Sequence, residues 1–201
     1  DLLVVSTNEV FDGRRTDGRG YRPDDAVDPI NPYGASKLAG EEGARTAFST
    51  VPADGPRLAI VRTAWLFGPP GADFPAKILA AAERAIAAGE PLRVVSDETG
   101  SPTYAPDLAV AILAFVAGRV APGTFHAVNA GIASRSDWAR RVLALSATDV
   151  AVEDVPSSSW ERPSMPPRWA VLEHSAAFGP PLRPWPEALA VHMGGTAVGA
   201  A

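Results

Sequence analysis

Short aliphatic runs alternate with longer helix-forming stretches along this chain, and that alternation restricts its fold more than any other feature. Residues 2–6 and 58–63 read as strands with a helix-forming stretch between them. A strand buried on both faces shows as an unbroken Leu, Ile and Val run, and two parallel strands need a long, usually helical, crossover. Asn31-Pro32 marks the start of that helix. The Asn side chain can cap it, and Pro at the first helical position gives up only an N–H that had no partner there. The helix is expected over residues 33–48, closing at the turn 52–56. A second helix over 73–88 stops at Gly89. Strands follow at 92–95 and 124–128, helices at 107–117 and 137–144, and a last helix at 186–193. The expected class is α/β with a mainly parallel sheet.

With 201 residues, 46% of them hydrophobic, the chain can bury a sizeable core in one domain, or one domain with a small appendage. Its net charge of -5 offers no basic stripe, so nucleic acid is not an expected partner. No apolar run approaches the roughly 18 residues of a membrane span, and no membrane partner is expected. The absence of cysteine excludes disulfides and thiolate zinc sites, and His126, His174 and His192 are too scattered for a local ligand spacing, so no metal is expected. A reducing, cytoplasmic setting fits this composition. Residues 156–167 are rich in Ser and Pro, with Trp160 inside and Trp169 close by, and are expected to form an ordered loop because an indole favours burial. Residues 194–201 are small and read as a flexible tail.

The sharpest chemical signal is Tyr33-Gly34-Ala35-Ser36-Lys37 on the first turns of a helix. A spacing of four puts the phenol and the ammonium on one helix face. A lysine beside a tyrosine favours the phenolate, which eases proton transfer near neutrality. Only two lysines occur against sixteen arginines, so the choice of Lys37 is informative. The plain alternative is a surface helix on which Tyr33 and Lys37 merely lie side by side. A second element, Ser6-Thr7, ends the first strand. In open α/β sheets ligands sit beyond the carboxyl ends of strands, so a hydroxyl there faces a site, although Ser and Thr also simply begin turns. A strand-end hydroxyl followed by Tyr and Lys on the next helix makes a proton-donor arrangement in chain order.

The segments Ser6-Thr7-Asn8-Glu9-Val10-Phe11-Asp12-Gly13 and Asn31-Pro32-Tyr33-Gly34-Ala35-Ser36-Lys37 resemble the extended short-chain dehydrogenase/reductase family. Val61-Arg62-Thr63-Ala64-Trp65-Leu66-Phe67-Gly68 and Val94-Val95-Ser96-Asp97-Glu98-Thr99-Gly100-Ser101-Pro102-Thr103 continue the resemblance, and the segments Val10-Phe11-Asp12-Gly13 and Gly100-Ser101-Pro102-Thr103 narrow it to the dTDP-4-dehydrorhamnose reductase branch. Arg162-Pro163, Trp169-Ala170-Val171-Leu172 and Leu182-Arg183-Pro184-Trp185 extend it over nearly the whole chain.

That resemblance implies the C-terminal portion of a Rossmann-like fold with a small substrate-binding region. Residues 1–68 would close the NAD(P)-binding domain and carry the catalytic residues. Residues 69–193 would mix the substrate-binding region with the remaining Rossmann elements. The implied catalytic trio is Thr7, Tyr33 and Lys37. Tyr33 would protonate a sugar ketone while NADPH delivers hydride to its carbon, Thr7 would hydrogen-bond the same oxygen, and Lys37 would bind the nicotinamide ribose. Ser6 and Thr63, with Tyr33 and Lys37, would line the cofactor. Asn8, Glu9, Trp65, Ser101 and Thr103 would face the nucleotide sugar. Trp65 has two readings, a flat plate for sugar C–H groups or a core tryptophan at a strand end. The branch commonly has Asp-Tyr where this chain has Asn8-Glu9, which leaves the substrate contacts there open.

No Gly-rich turn of the kind that holds a dinucleotide pyrophosphate on a helix N-terminus occurs in these residues. The chain begins at Asp1, directly in a strand, and is expected to be a fragment whose phosphate cradle lies upstream. By itself it is expected to bind no NADPH and to be poorly soluble through an open sheet edge. NADH in place of NADPH stays open, as does a homodimer. The rival expectations are a non-enzymatic relative, such as the regulatory subunit of methionine adenosyltransferase, and a sibling nucleotide-sugar epimerase or dehydratase.

Overall fold

A computed structural model describes residues 1–118 and 121–194. Strands β1 (Leu2–Thr7), β2 (Leu58–Thr63), β3 (Leu92–Val95), β4 (Gly123–His126) and β5 (Val152–Val155) alternate with helices α1 (Pro32–Phe48), α2 (Phe74–Ala88), α3 (Ala105–Val116), α4 (Arg135–Leu145) and α5 (Trp185–His192). β1, β2 and β4 form one parallel sheet in that order, and β3 pairs in parallel with β5. Two-residue ladders tie the loops together; all are parallel except Thr99–Gly100 with Ala133–Ser134. The expected α/β class with a mainly parallel sheet is what forms. No helix among the described residues is long and apolar enough to cross a membrane.

Local chemistry sets the helix ends. Asn31 Oδ1 accepts the Gly34 N–H at 2.8 Å, with Pro32 opening α1. α2 starts on Asp73 and stops at Gly89, whose φ of 68° lies in the left-handed region that glycine adopts freely. α3 begins earlier than expected because Pro106 fits its first turn. Ser134 and Asp137 form a reciprocal capping box that opens α4. The strand β5 escaped the sequence reading because Glu153 and Asp154 interrupt its apolar pattern. Trp160 departs from expectation: it is exposed, with the Arg93 guanidinium over its ring at 5.7 Å. Of the tail 194–201, residues 195–201 lie outside the described residues.

Two apolar centres flank the site. Ala59, Val61, Leu108, Phe115, Phe125 and Phe178 pack around the three-stranded sheet. Phe67, Val94, Trp138, Val142 and Leu189 knit β3 to α2, α4 and α5. Helix α1 is held differently, by a buried ion pair. Glu41 is fully buried, and its carboxylate receives two hydrogen bonds from Arg62 of β2, at 2.9 and 2.7 Å. Arg62 also donates to the Pro23 carbonyl at 3.2 Å and stacks on Phe11 at 5.1 Å, so one guanidinium joins sheet, helix and loop. Burial works against a charged Glu41, yet the hydrogen bonds and charge of Arg62 outweigh it and hold that carboxyl below its ordinary value.

His126, at the end of β4, is fully buried beside this pair. Burial first, and then the Arg62 charge, push its pKa down to about 4 from 6.5. It is therefore neutral when folded, and its Nδ1 donates to the Tyr21 carbonyl at 3.0 Å. The unfolded chain takes up a proton between pH 6.5 and 4 that the folded chain refuses. Stability is thus full above the unfolded value and is lost as pH falls toward the folded one, by roughly 3 kcal/mol from this group. The lowered Glu41 adds a loss of the same sign only below its ordinary value of 4.5. Urea unfolding followed from pH 7 to 4.5 is expected to show the first decline, and His126→Gln is expected to flatten it. A wild-type stability that stays level across that window would contradict the account.

Candidate active site

β1 and β2 run in register from Leu2↔Leu58 to Thr7↔Thr63, so their carboxyl ends finish side by side. Thr7 is the cap of a single 3-10 turn, Asn8–Val10; its Oγ1 accepts the Glu9 N–H at 3.2 Å and donates weakly to Asn8 Oδ1 at 3.4 Å. Helix α1 returns across these ends. Gly34 permits the approach, since a Cβ there would collide with the Glu9 carbonyl oxygen. Asn31 reinforces it, its Nδ2 donating to Glu9 Oε2 at 2.7 Å and to the Met165 carbonyl at 3.0 Å. The result is a cleft of about 280 Å³ lined by Ser6, Thr7, Asn8, Glu9, Tyr33, Lys37, Thr63 and Trp65. The Tyr33 side of it is open, with that residue 52% exposed. Lys37 Nζ donates to the Val5 carbonyl at 2.6 Å, which spends one of its three N–H donors.

Trp65 follows β2 with φ at 44°, a conformation rare for a large side chain and one that the surroundings must enforce. They do. Its indole lies nearly parallel to Trp138, 5.8 Å between centroids, and Gly100 leaves the room that any side chain would fill. The Arg135 guanidinium sits 3.6 Å over the indole, a close cation–π contact. Trp65 therefore packs against Trp138 as a core tryptophan does and also lines the cleft, with a flat face given to the Arg135 cation.

Arg135 also lines a second cleft of about 540 Å³ that runs past Phe74, Lys77, Arg93, Trp160 and Arg162. Behind it lies Glu98, 2% exposed, which accepts from Arg162 at 2.5 Å and from Arg135 at 3.5 Å. Burial lowers the Arg135 pKa to about 10 despite the charge of Glu98, so the residue remains a cation at neutral pH.

Eight of the ten residues singled out from sequence thus share one cleft: Ser6, Thr7, Asn8, Glu9, Tyr33, Lys37, Thr63 and Trp65. Ser101 and Thr103 do not. Both are buried elsewhere, Ser101 Oγ accepting from the Leu172 N–H at 3.3 Å and Thr103 Oγ1 donating to the Ser101 carbonyl at 3.1 Å. Arg135 was not foreseen; one arginine among sixteen on a helix N-terminus gives no sequence signal. The polar groups present fit, in their chemistry, the nicotinamide ribose that the resemblance implies. Lys37 keeps two free N–H donors, and the buried Thr63 Oγ1 finds no hydrogen-bond partner among the described residues. Ser6 Oγ makes no hydrogen bond of ordinary geometry either, though it lies near enough to Glu41 to favour its charged form. Among the described residues no group of three or more His, Asp or Glu side chains is placed to hold a metal.

Residues 1–195 match the family described as the RmlD substrate binding domain. A dTDP-4-dehydrorhamnose reductase of Mycolicibacterium smegmatis is 42% identical over 194 residues, covering 94% of this chain and 55% of that protein. One of Mycobacterium tuberculosis is 39% identical over 200 residues, covering 96% and 62% respectively. Among solved structures, a Bacillus anthracis dTDP-4-dehydrorhamnose reductase in complex with NADP superposes with a TM-score of 0.82 at 29% identity, over 94% of this chain and 64% of that one. The chain therefore spans 55% to 62% of the length of these two sequence relatives.

The contact at Gly34 yields a test of how the cleft is built. Replacing an exposed helical glycine by alanine ordinarily stabilises by about 1 kcal/mol, and Gly40→Ala and Gly43→Ala, which face open space, are expected to do so. Gly34→Ala is expected to have the opposite sign and cost about 1–3 kcal/mol, because α1 must retreat from Glu9. Thermal or urea unfolding of the three variants reads this directly. A stabilising Gly34→Ala would mean that the helix does not depend on that approach.

Proposed function

The chain belongs to the RmlD substrate binding domain family, and on that premise we propose that it serves the NADPH-dependent reduction of the 4-keto group of dTDP-4-dehydro-L-rhamnose to dTDP-L-rhamnose. The observation that carries the proposal is the meeting of Thr7, Tyr33 and Lys37, from a strand end and a helix, around one open cleft. In this reading residues 1–68 supply the catalytic side of the site and residues 69–193 supply most of the substrate side. The same reading carries a cytoplasmic location and is compatible with a homodimer, which the sequence leaves open.

Tyr33 gives its phenolic proton to the ketone oxygen as the carbonyl is reduced. Thr7 Oγ1, whose bond to Asn8 is long at 3.4 Å, turns its hydrogen to the same oxygen and stabilises the charge that develops there. Lys37 is fixed by the Val5 carbonyl, leaving two donors for ribose hydroxyls and a positive charge near the phenol. Ser6 and Thr63 line the cofactor side of the cleft, and Asn8, Glu9 and Trp65 line the sugar side. NADPH, when bound, supplies the hydride that adds to C4. The wholly acid–base demand on the protein is one proton, which Tyr33 meets.

The full-length protein is expected to consume NADPH with the 4-keto sugar nucleotide as substrate. Tyr33→Phe is expected to lower kcat by about 100-fold or more while leaving NADPH affinity and unfolding temperature near wild type. Lys37→Arg is expected to fail similarly, since a planar guanidinium cannot replace a compact ammonium bonded at 2.6 Å to Val5. Steady-state NADPH oxidation at 340 nm measures both. Retention of most of the activity by Tyr33→Phe would remove the phenol from the mechanism.

A further inference from the structure

Two clefts meet at Arg135, and a buried carboxylate stands behind the meeting point. The catalytic cleft and the second cleft share Arg135 and Leu66. The second is basic: Lys77, Arg93, Arg135 and Arg162 line it against Asp73 and Glu98, four cations to two carboxylates. Arg93 is paired at 3.6 Å with Glu153 outside that lining, so one net positive charge remains, a setting that favours the negatively charged diphosphate of a nucleotide sugar. Asp73 is committed elsewhere, capping α2 through the Ala76 N–H and receiving the Gly68 N–H at 2.9 Å. Glu98 has no solvent route for its charge, being 2% exposed, and it is met by Arg162 on one oxygen and Arg135 on the other. Its backbone takes part as well, the Glu98 carbonyl accepting the Arg135 N–H at 3.1 Å.

We propose that Glu98 is a positioning residue: its carboxylate holds Arg135 over the Trp65 indole at the junction of the two clefts, and thereby sets the affinity for a substrate that carries a diphosphate. The inference rests on the proposed function for its substrate class. Without the carboxylate, two guanidiniums remain close together with no counter-charge between them, and mutual repulsion loosens Arg135, whose side chain then keeps only the ring faces of Trp65 and Phe74. Arg135 is then no longer aimed at the passage between sugar and nucleotide. Glu98 itself is too buried to touch the ligand, so its effect passes through Arg135.

The probe is dTDP, titrated calorimetrically into the full-length protein, with turnover of the 4-keto sugar nucleotide measured alongside. Glu98→Gln is expected to raise the dTDP Kd by about tenfold, with the kinetic loss falling in KM rather than kcat and the NADPH Kd unchanged. Arg135→Ala is expected to weaken dTDP to a similar extent. The double variant is expected to be no worse than either single one by more than about twofold, because the two act as one unit. Arg135→Lys, which keeps charge but not the flat stacking, is expected to fall short of wild type and gives the same test should Glu98→Gln not fold. Effects that add in the double variant, a dTDP Kd unmoved by Glu98→Gln, or a wild-type affinity in Arg135→Lys would each overturn the proposal. A wild type that binds dTDP but does not reduce the sugar refutes the proposed reaction and leaves the clamp supported if the variants behave as stated. A wild type that binds no dTDP overturns both.

Discussion

The buried ion pair between Glu41 and Arg62 is the constraint on which the site depends. Helix α1 buries only Gly34 and Glu41 fully within its span, with Leu38 partly buried against the Val10 and Phe11 cluster, so apolar packing alone fixes its position weakly. A bidentate carboxylate–guanidinium pair fixes it firmly, because its two parallel bonds set distance and angle together. Arg62 stands one residue before Thr63 on β2, opposite Ser6 on β1. Fixing Glu41 on Arg62 therefore fixes the helix relative to both strand ends, and with it the positions of Tyr33 and Lys37 relative to Thr7. Breaking such a pair strands a buried charge and costs about 3–5 kcal/mol, so the arrangement has little freedom to drift.

Around that anchor the surfaces serve chemistry. A parallel sheet brings its strand ends together, and β1 and β2 deliver hydroxyls there in register. Backbone strain marks the next turn, where Trp65 holds a positive φ against Gly100, Trp138 and Arg135. A strained residue held by several neighbours at the mouth of a cleft is fixed in orientation before any ligand arrives. The cleft of Thr7, Tyr33 and Lys37 shares Arg135 and Leu66 with a basic one lined by an exposed tryptophan, and the proposed nucleotide-sugar substrate rests on that arrangement.

Much of this was legible in the sequence, and the reasons are local. Asn31-Pro32 marked α1 because capping and proline geometry are properties of adjacent residues, and Gly89 marked the end of α2 likewise. The Tyr33 and Lys37 spacing carried their common face for the same reason. What escaped depends on contacts between distant residues. Nothing in the neighbours of Glu41 distinguishes it from Glu42, yet one is fully buried and the other exposed. Ser101 and Thr103 looked like ligand contacts from their segment alone, but their hydroxyls are engaged within the fold. Arg135 meets Trp65 across 70 residues of chain, and Glu98 meets Arg162 across 64. The exposed Trp160 shows the limit of composition: an indole can be kept at the surface by a cation rather than a core.

In the proposed function a sugar ketone is reduced at the cleft formed by Thr7, Tyr33 and Lys37, with hydride to carbon and a proton from the protein to oxygen. Isotope transfer tests it most directly. The full-length protein would be supplied with NADPH deuterated at the transferable position and with dTDP-4-dehydro-L-rhamnose, and the product sugar read by proton NMR. The account predicts one deuterium at C4 of the product and none taken from a deuterated solvent at that carbon. A product lacking deuterium at C4, or one carrying solvent deuterium at C3 or C5 without NADPH consumption, would contradict it.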